Sequence, residues 1–175
     1  MKKALFLDRD GVICEAMPRG TYLLFKKDFK LIDGIVELVE KAKNNGYVVV
    51  VVTNQPQIAK GLLSEKDLVD IHNEMMLSFS GLIDKILYCP HIDEDECACR
   101  KPKPGMIHQA AEDLEIDLEK SLIVGDSHND VHAGIGANIK TVFLKNQYNA
   151  HELAKCEPDF VAERLLDIID FLPMD

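Results

Sequence analysis

Five short apolar runs, separated by stretches with helical periodicity, constrain the fold of this chain more than any other feature. The clearest run, at residues 47–52, is unbroken and rich in β-branched side chains, as is typical of a parallel strand buried on both faces. The others lie at residues 4–7, 83–88, 121–124 and 141–144. This alternation predicts an α/β fold, a Rossmann-like parallel sheet with helices on both faces.

The segments between the runs carry helix signals. Asp33 is expected to cap a helix that ends near Asn45, and Ser64 to begin a second helix. Pro104 fits the first turn of a third helix, and a fourth opens just after Gly125. A last helix is expected from about residue 162 to residue 171.

Size and charge limit the possible functions. A chain of 175 residues that is 47% hydrophobic suits one domain, here residues 1–175. The net charge of -10 argues against nucleic acid as a partner. No apolar run is long enough for a membrane span, and the N-terminus lacks the apolar region of a signal peptide. We therefore expect a cytoplasmic protein, with a monomer as the default state.

Polar residues follow successive apolar runs. In a parallel sheet the carboxyl ends of the strands meet at one edge, where such folds bind ligands. The residues concerned are Asp8 and Asp10 after the first run, Thr53 and Asn54 after the second, Arg100 and Lys101 beyond the third, and Asp126 and Asp130 after the fourth. We expect the chemistry at this edge.

The first pair of carboxylates needs a partner of opposite charge. In an extended segment Asp8 and Asp10 share a face and Arg9 points elsewhere, while Gly11 allows a tight turn. Two like charges this close require a cation or a shared proton. The alternative is an ordinary loop in which the Asp pair caps a helix.

The expected site is suited to phosphoryl transfer. Clustered carboxylates suit Mg²⁺, and a divalent ion with Arg and Lys side chains can stabilise a transferring phosphoryl group. The chain has no Gly-x-x-x-x-Gly-Lys-Ser/Thr loop for nucleotide phosphates. The pattern therefore favours a covalent route, in which an Asp attacks phosphorus and water hydrolyses the aspartyl-phosphate.

A second cluster lies in residues 89–99, which we call the Cys/His loop. Its spacing is Cys-x-His, five residues, then Cys-x-Cys, and it supplies Cys89, His91, Cys97 and Cys99. Three thiolates and one imidazole make a closed ligand set of the kind that structural zinc sites use. The alternative, free thiols in a surface loop, is disfavoured because exposed thiols are reactive. We expect zinc to hold the neighbouring Arg100 and Lys101 against the catalytic edge.

Four motifs in order resemble those of the haloacid dehalogenase-like phosphohydrolase superfamily. They are Asp8-Arg9-Asp10-Gly11-Val12, Thr53 after an apolar strand, the basic pair Arg100-Lys101, and Gly125-Asp126 with Asp130. The match spans residues 4 to about 144. It implies the HAD-like fold, and the absence of a large insertion implies a minimal cap, with residues 14–31 and the Cys/His loop as the only candidates to cover the site.

The resemblance also implies roles for these residues. Asp8 would be the nucleophile and Asp10 the general acid and base. Thr53 and Asn54 would hold the phosphoryl oxygens, and Lys101 with Arg100 would offset the charge on phosphorus, with Lys103 as the rival lysine. Mg²⁺ would be bound by Asp8, Asp126 and the main-chain carbonyl of Asp10, and Asp130 would orient the site from nearby or cap a helix.

The segment Cys-Pro-His with Cys-x-Cys-Arg-Lys-Pro resembles two groups in this superfamily, the heptose bisphosphate and the histidinol-phosphate phosphatases. The first, which we favour, implies a small sugar substrate, the C7 phosphate of D-glycero-D-manno-heptose 1,7-bisphosphate. It also implies a substrate loop over Arg19, Gly20, Thr21 and Tyr22, with a solvated loop residue as the alternative for Arg19. The second implies histidinol phosphate. Pro56-Gln57 departs from the Ser-Gly usual in the heptose enzymes, so the choice between the two substrates stays open while the chemistry does not change. Alternatives are a non-catalytic phosphometabolite-binding protein and a phosphotransferase.

Overall fold

The computed structural model describes residues 1–18 and 20–172. Within them, six parallel strands form one sheet in the order β3-β2-β1-β4-β5-β6. The strands are β1 (Lys3–Leu7), β2 (Tyr47–Asn54), β3 (Lys85–Cys89), β4 (Leu122–Gly125), β5 (Lys140–Leu144) and β6 (Phe160–Ala162). The predicted parallel sheet is confirmed, and all five predicted strands belong to it.

Five α-helices connect or follow the strands in the described part of the chain. They are α1 (Ile35–Asn44), α2 (Glu65–Ser78), α3 (Gly105–Leu114), α4 (His128–Gly136) and the short α5 (Ala150–Leu153). Short 3-10 helices lie at Lys26–Asp28, Asp93–Asp95, Leu118–Lys120 and Leu165–Phe171. None of the helices in this part is long and apolar enough to cross a membrane.

Side chains of β1 and β2 alternate between two apolar cores. Leu5 and Leu7 pack with α1 on one face, and Ala4 and Phe6 pack with α3 on the other. This period of two is the expected consequence of a pleated strand. Because both faces of the sheet are covered, the strands read as continuous apolar runs, and helices lie on both faces as predicted.

The carboxyl ends of β1, β2 and β4 lie side by side. Leu7 pairs with Val51 of β2 and with Val124 of β4, and the amide of Asp8 donates to the Val124 carbonyl at 3.0 Å. The strands that follow β1 along the chain, β2 and β3, lie on one side of it, whereas β4, β5 and β6 lie on the other. Open α/β sheets form their ligand clefts at such a point of reversal in the strand order.

Two local predictions about helices differ from the structure. The last helix, expected from about residue 162 to residue 171, is a 3-10 helix at Leu165–Phe171, and Ala162 instead ends strand β6. Asp159 accepts hydrogen bonds from the amide and hydroxyl of Thr141, which aligns the following residues beside β5. Asp33 does not cap α1, because Gly34 at a φ of 85° immediately precedes the helix and takes that position.

Candidate active site

A cleft of about 510 Å³ opens at the carboxyl edge of the sheet. It brings together most of the residues predicted from the sequence: Asp8, Asp10, Thr53, Asn54, Arg100, Lys101 and Asp126. The predicted substrate residue Arg19 lies outside the described residues, but its neighbours Gly20, Thr21 and Tyr22 line the cleft. A larger groove of about 630 Å³ borders Gly11 and holds none of those seven residues, so the chemistry points to the smaller cleft.

Lys101 lies at the floor of the cleft between two carboxylates. Its ammonium group is 2.9 Å from Asp8 Oδ1 and 2.5 Å from Asp130 Oδ1, and it also donates to the Val52 carbonyl at 2.7 Å. Its side chain is only 3% exposed. Burial by itself lowers the pKa of this lysine, but Asp130 and Asp8 raise it overall, so the ammonium stays charged.

Lys103, the rival for this position, points to a different part of the molecule. It is exposed, and its ammonium donates to the carbonyls of Glu96 and Cys97 at 2.9 and 2.7 Å. The structure therefore places Lys101 beside Asp8 and Lys103 on the outside of the Cys/His loop.

Asp8 is an unusual carboxylate. Burial raises its pKa to about 7, the nearby Asp130 and Asp10 add to this rise, and Lys101 opposes it. An acid with such a pKa is costly to ionise where it lies unless further positive charge is supplied.

Three carboxylates converge here with a single lysine among them. One oxygen each from Asp8, Asp126 and Asp130 lie within 4.8 Å of one another. Burial, followed by the charges of Asp8 and Asp130, holds the pKa of Asp126 well above its ordinary value. Since Lys101 balances only one negative charge, this set of hard oxygen ligands fits a divalent ion such as Mg²⁺.

The two oxygens of Asp130 are already engaged. One accepts from Lys101, and the other accepts from the Ser127 amide at 3.1 Å and from its hydroxyl at 2.5 Å. Asp130 therefore caps α4 and also positions Lys101, which combines the two roles considered for it. Asp8 and Asp126 remain the better placed ligands.

Gly11 allows the chain to pass directly beside Asp126. Its φ is 88°, and a Cβ atom at this position would lie 2.1 Å from Asp126 Oδ2. No other residue type satisfies both the backbone angle and the space. The turn after β1 and the carboxylate after β4 are thus packed against each other.

Asp10 is held by a buried network. Arg9 donates to both of its oxygens at 3.0 and 2.9 Å, Gln55 donates at 2.9 Å, and the Cys14 thiol lies at 3.4 Å. Burial by itself would raise the pKa of Asp10, but Arg9 lowers it overall. The expectation that Arg9 points away from the site is wrong, because β1 ends at Leu7 and the strand periodicity stops there.

The end of β2 contributes a hydroxyl and an amide. Thr53 is buried in the cleft wall, and its hydroxyl accepts from Gln55 at 2.9 Å. Asn54 forms a reciprocal pair with the backbone of Lys101, donating to the carbonyl at 2.9 Å and accepting from the amide at 3.0 Å. The Asn54 side chain therefore fixes the segment that carries Lys101.

The Cys/His loop brings its four predicted ligands together. The sulfur of Cys97 is 3.6 Å from that of Cys89 and 3.5 Å from that of Cys99. His91 Nδ1 lies 3.5 Å from Cys89 and 3.4 Å from Cys99. Tetrahedral bonds of about 2.3 Å place sulfur ligands about 3.8 Å apart. The four atoms therefore fit one zinc ion.

This loop is tied to the cleft through Arg100. Its guanidinium donates to Asp93 at 2.6 Å and to the His91 carbonyl at 3.2 Å, and it also lines the cleft. Anything that fixes the loop therefore fixes the arginine next to Lys101.

Sequence reasoning missed several residues of the site. Gln55 is not among the predicted site residues, yet it contacts Thr53, Asp10 and Arg9. After β5, Asn146 donates to Asp126 Oδ2 at 2.8 Å, and Asn149 donates to the Asp126 carbonyl at 2.9 Å. The signal was available, since these amides follow a parallel strand in the same way as the residues after β2.

The comparisons with known proteins agree with this geometry. A family model described as HAD-hydrolase-like matches residues 98–168. The chain is 40% identical over 178 residues to a D-glycero-beta-D-manno-heptose-1,7-bisphosphate 7-phosphatase of Pasteurella multocida, covering 96% of this chain and 95% of the relative. It is 37% identical over 174 residues to a D-glycero-alpha-D-manno-heptose-1,7-bisphosphate 7-phosphatase of Campylobacter jejuni, covering 97% and 95%.

A solved structure is similar over nearly the whole chain. It is the D,D-heptose 1,7-bisphosphate phosphatase from B. bronchiseptica, complexed with magnesium and phosphate, with a TM-score of 0.88, 30% identity and 97% of each chain covered. The chain therefore belongs to the haloacid dehalogenase-like hydrolases, and within them to the family of the heptose bisphosphate phosphatases. The resemblance inferred from the four motifs is confirmed.

Proposed function

We propose that this chain is a Mg²⁺-dependent phosphatase that removes the C7 phosphate of D-glycero-D-manno-heptose 1,7-bisphosphate through an aspartyl-phosphate on Asp8. The observation that carries the proposal is the position of Asp8 at the floor of the cleft, in contact with Lys101 and within ligand distance of Asp126. The names of the relatives supply the substrate.

In the first step, Asp8 attacks phosphorus and the sugar alkoxide leaves. Lys101 lies 2.9 Å from Asp8, so its charge is available to the phosphoryl oxygens that approach the nucleophile. The Thr53 hydroxyl at the end of β2 is our proposed donor to one of these oxygens. The side chain of Asp10, which lines the same cleft, would give its proton to the leaving oxygen.

In the second step, water hydrolyses the aspartyl-phosphate. Asp10 would now accept the proton of the attacking water, which regenerates the acid for the next cycle. Arg9, Gln55 and Cys14 hold its carboxyl group in one place throughout. Since Arg9 lowers the pKa of Asp10, we propose that the incoming phosphate group shifts Asp10 toward its protonated form for the first step.

The carboxylates of Asp8 and Asp126 would hold the magnesium ion, together with the main-chain carbonyl of Asp10. When bound, Mg²⁺ supplies positive charge to the phosphoryl oxygens in a cleft whose own net charge is negative. Asn146 and Gly11 keep Asp126 in position for this task.

The four side chains of the Cys/His loop would hold a structural zinc ion. Because the set already offers four ligands, no position is left for a catalytic water. The loop has no buried residue between His91 and Cys97 to build a core of its own. We propose that zinc replaces that core and keeps Arg100, the proposed contact to the substrate, at the cleft.

Phosphate release tests this function. Purified protein with zinc and Mg²⁺ should hydrolyse the heptose 1,7-bisphosphates faster than histidinol phosphate. Both anomers belong in the test, since relatives are named for each. Phosphate release from histidinol phosphate alone would support the proposed phosphatase mechanism and overturn the heptose assignment. Binding without release would favour a non-catalytic phosphometabolite-binding protein, and release that depends on an acceptor sugar would indicate a phosphotransferase.

Three expectations rest on the sequence alone and stay predictions. They are a single domain over residues 1–175, a monomer in solution and a cytoplasmic location. A cytoplasmic monomer suits an enzyme acting on a small phosphorylated sugar, with neither a membrane nor nucleic acid as a partner. Light scattering of the purified protein checks whether it is a monomer.

A further inference from the structure

One wall of the cleft has no part in the mechanism above. It is built by Ser127, the first turn of α4 and α5, and it presents Ser127, His128, Asn129 and Glu152. The side chains of His128 and Glu152 are 28% and 19% exposed. They are therefore reachable by a ligand in the cleft, yet held by the protein.

His128 is fixed through one ring nitrogen. Its Nδ1 forms a hydrogen bond with Glu152 Oε2. The other carboxylate oxygen of Glu152 is 2.7 Å from His151 Nε2 and 3.1 Å from Lys155 Nζ. His132 packs against the His128 ring edge-on, with the ring centroids 5.8 Å apart. Glu152 thus orients the imidazole and leaves Nε2 as its second hydrogen-bonding atom.

The chemistry of this wall differs from that of the opposite side. Arg100 lines the cleft from the segment after β3, across β1 from α4, and its guanidinium is suited to a phosphate group. The wall at His128 offers an imidazole, a hydroxyl, an amide and a carboxylate, and the ammonium group of Lys155 is paired with Glu152. Because the wall has several hydrogen-bonding groups but no Lys or Arg of its own, it is better suited to hydroxyl groups than to a second phosphate.

We propose that His128, oriented by Glu152, binds hydroxyl groups of the sugar, which is the leaving group in phosphoryl transfer. This contact sets the preference for polyhydroxylated substrates. Glu152 acts as a positioning residue. The inference rests on the proposed phosphatase function, but not on which sugar phosphate is the substrate, because the recognised feature is the hydroxyl group.

The test compares two substrates in each variant. One is the polyhydroxylated phosphate ester with the highest kcat/KM in a panel that includes both heptose bisphosphates. The other is p-nitrophenyl phosphate, whose leaving group has no aliphatic hydroxyl. The ratio of the two kcat/KM values measures hydroxyl recognition, and a change in folding or in metal binding lowers both values without changing their ratio.

His128→Gln should lower this ratio about tenfold, the order expected when a hydrogen bond to a bound ligand is lost. The fall should appear mainly in KM for the sugar phosphate. The matched control is His108→Gln, an exposed histidine on α3 that does not line the cleft, and it should leave the ratio unchanged. An unchanged ratio in His128→Gln, with both values intact or both reduced, would overturn the proposal.

Variants of Glu152 separate positioning from contact. Glu152→Ala should lower the ratio almost as much as His128→Gln, and Glu152→Gln should restore part of it, because its amide oxygen can still accept from Nδ1. The double variant His128→Gln with Glu152→Ala should show no further fall. An additive fall would contradict a shared role.

The same panel keeps the two proposals apart. A wild type whose best substrate is a different hydroxylated phosphate ester would overturn the heptose assignment and leave the His128 test intact. A wild type with no preference for hydroxylated esters over p-nitrophenyl phosphate would overturn the hydroxyl-binding proposal, whichever of the panel it hydrolyses.

Discussion

The molecule has two clusters that could each hold a metal ion, and they are built in opposite ways. The carboxylate cluster of Asp8, Asp126 and Asp130 lies just beyond the ends of β1 and β4. Two of its carboxylates, Asp8 and Asp130, contact the ammonium group of Lys101. The cluster in the Cys/His loop lies in a segment with one short 3-10 helix and four consecutive exposed acidic residues.

This difference indicates which of the two clusters should depend on a bound metal ion for its conformation. The carboxylate cluster is positioned by the sheet, so its geometry should persist without Mg²⁺, although the excess negative charge is costly. The Cys/His loop has no buried residue between His91 and Cys97, so we expect its conformation to depend on zinc. We therefore expect the carboxylate cluster to keep its geometry without Mg²⁺, and the Cys/His loop to need zinc for its geometry.

The largest effect is expected at the nucleophile. Asp8→Asn should lower turnover by at least about 10³-fold, because the amide cannot attack phosphorus. The fold should survive, since a buried negative charge is removed from a crowded group of carboxylates. Phosphate release and thermal unfolding measure the two effects. Asp70→Asn, on the exposed face of α2, is the control. Substantial remaining turnover would remove Asp8 from its role.

Lys101 and Lys103 are two residues apart in the sequence, so the same substitution at each position gives a matched comparison. Lys101→Met should lower kcat about 10²- to 10³-fold, since it removes a charge aimed at the phosphoryl group. Lys103→Met should change kcat less than about twofold, because its ammonium contacts only carbonyls of the Cys/His loop. Steady-state kinetics, with circular dichroism to check folding, decides between them. Equal losses would contradict the assignment of Lys101.

Loss of zinc should weaken the loop while the sheet remains folded. Cys97→Ser should reduce bound zinc from about one ion per chain to a small fraction and lower activity about tenfold or more. Metal analysis and hydrogen exchange across residues 89–104 report the two effects. Cys156→Ser is the control, because that thiol lies outside the cluster. Full activity in zinc-free protein would contradict the structural role.

The smallest expected effect is a pH dependence of stability without Mg²⁺. The pKa of Asp8 is about 7 in the folded chain and near 4 when unfolded, so the folded state binds the extra proton between these values. Stability should therefore fall, by at most about 1.4 kcal/mol per pH unit from this group, as pH rises from about 4 to about 7, and level off above that.

Denaturant unfolding in zinc-replete, Mg²⁺-free protein at several pH values measures this slope. Asp8→Asn should flatten it, and added Mg²⁺ should flatten it in the wild type by neutralising the ionised carboxylates. A wild-type slope equal to that of Asp8→Asn would show that Asp8 ionises freely, against the burial seen here.

The sequence was enough to predict the sheet and most of the residues that the cleft brings together. Apolar runs such as residues 47–52 have few alternatives to a buried parallel strand, and parallel strands bring Asp8, Thr53 and Asp126 to one edge whatever the details of the loops. The ligands of the Cys/His loop could be named for a similar reason, because their spacing itself carries the chemistry.

The parts that could not be predicted depend on tertiary contacts. Arg9 follows Asp8 in the sequence, but where its side chain points is decided by a turn that begins as soon as β1 ends. Asn146 and Asn149 acquire their roles only because the segment after β5 folds back on Asp126. The final segment forms a sixth strand because Asp159 binds Thr141, a contact that no local propensity encodes.

The central claim is that Asp8 carries the phosphoryl group during turnover, and chemical trapping tests it most directly. Wild-type protein mixed with saturating substrate and Mg²⁺ is quenched in acid within milliseconds, reduced with borohydride and digested. Reduction converts an aspartyl-phosphate into homoserine, so mass spectrometry should find homoserine at position 8 and nowhere else. Unmodified Asp8 during rapid turnover, or modification at Asp10 or Asp126 instead, would contradict the account.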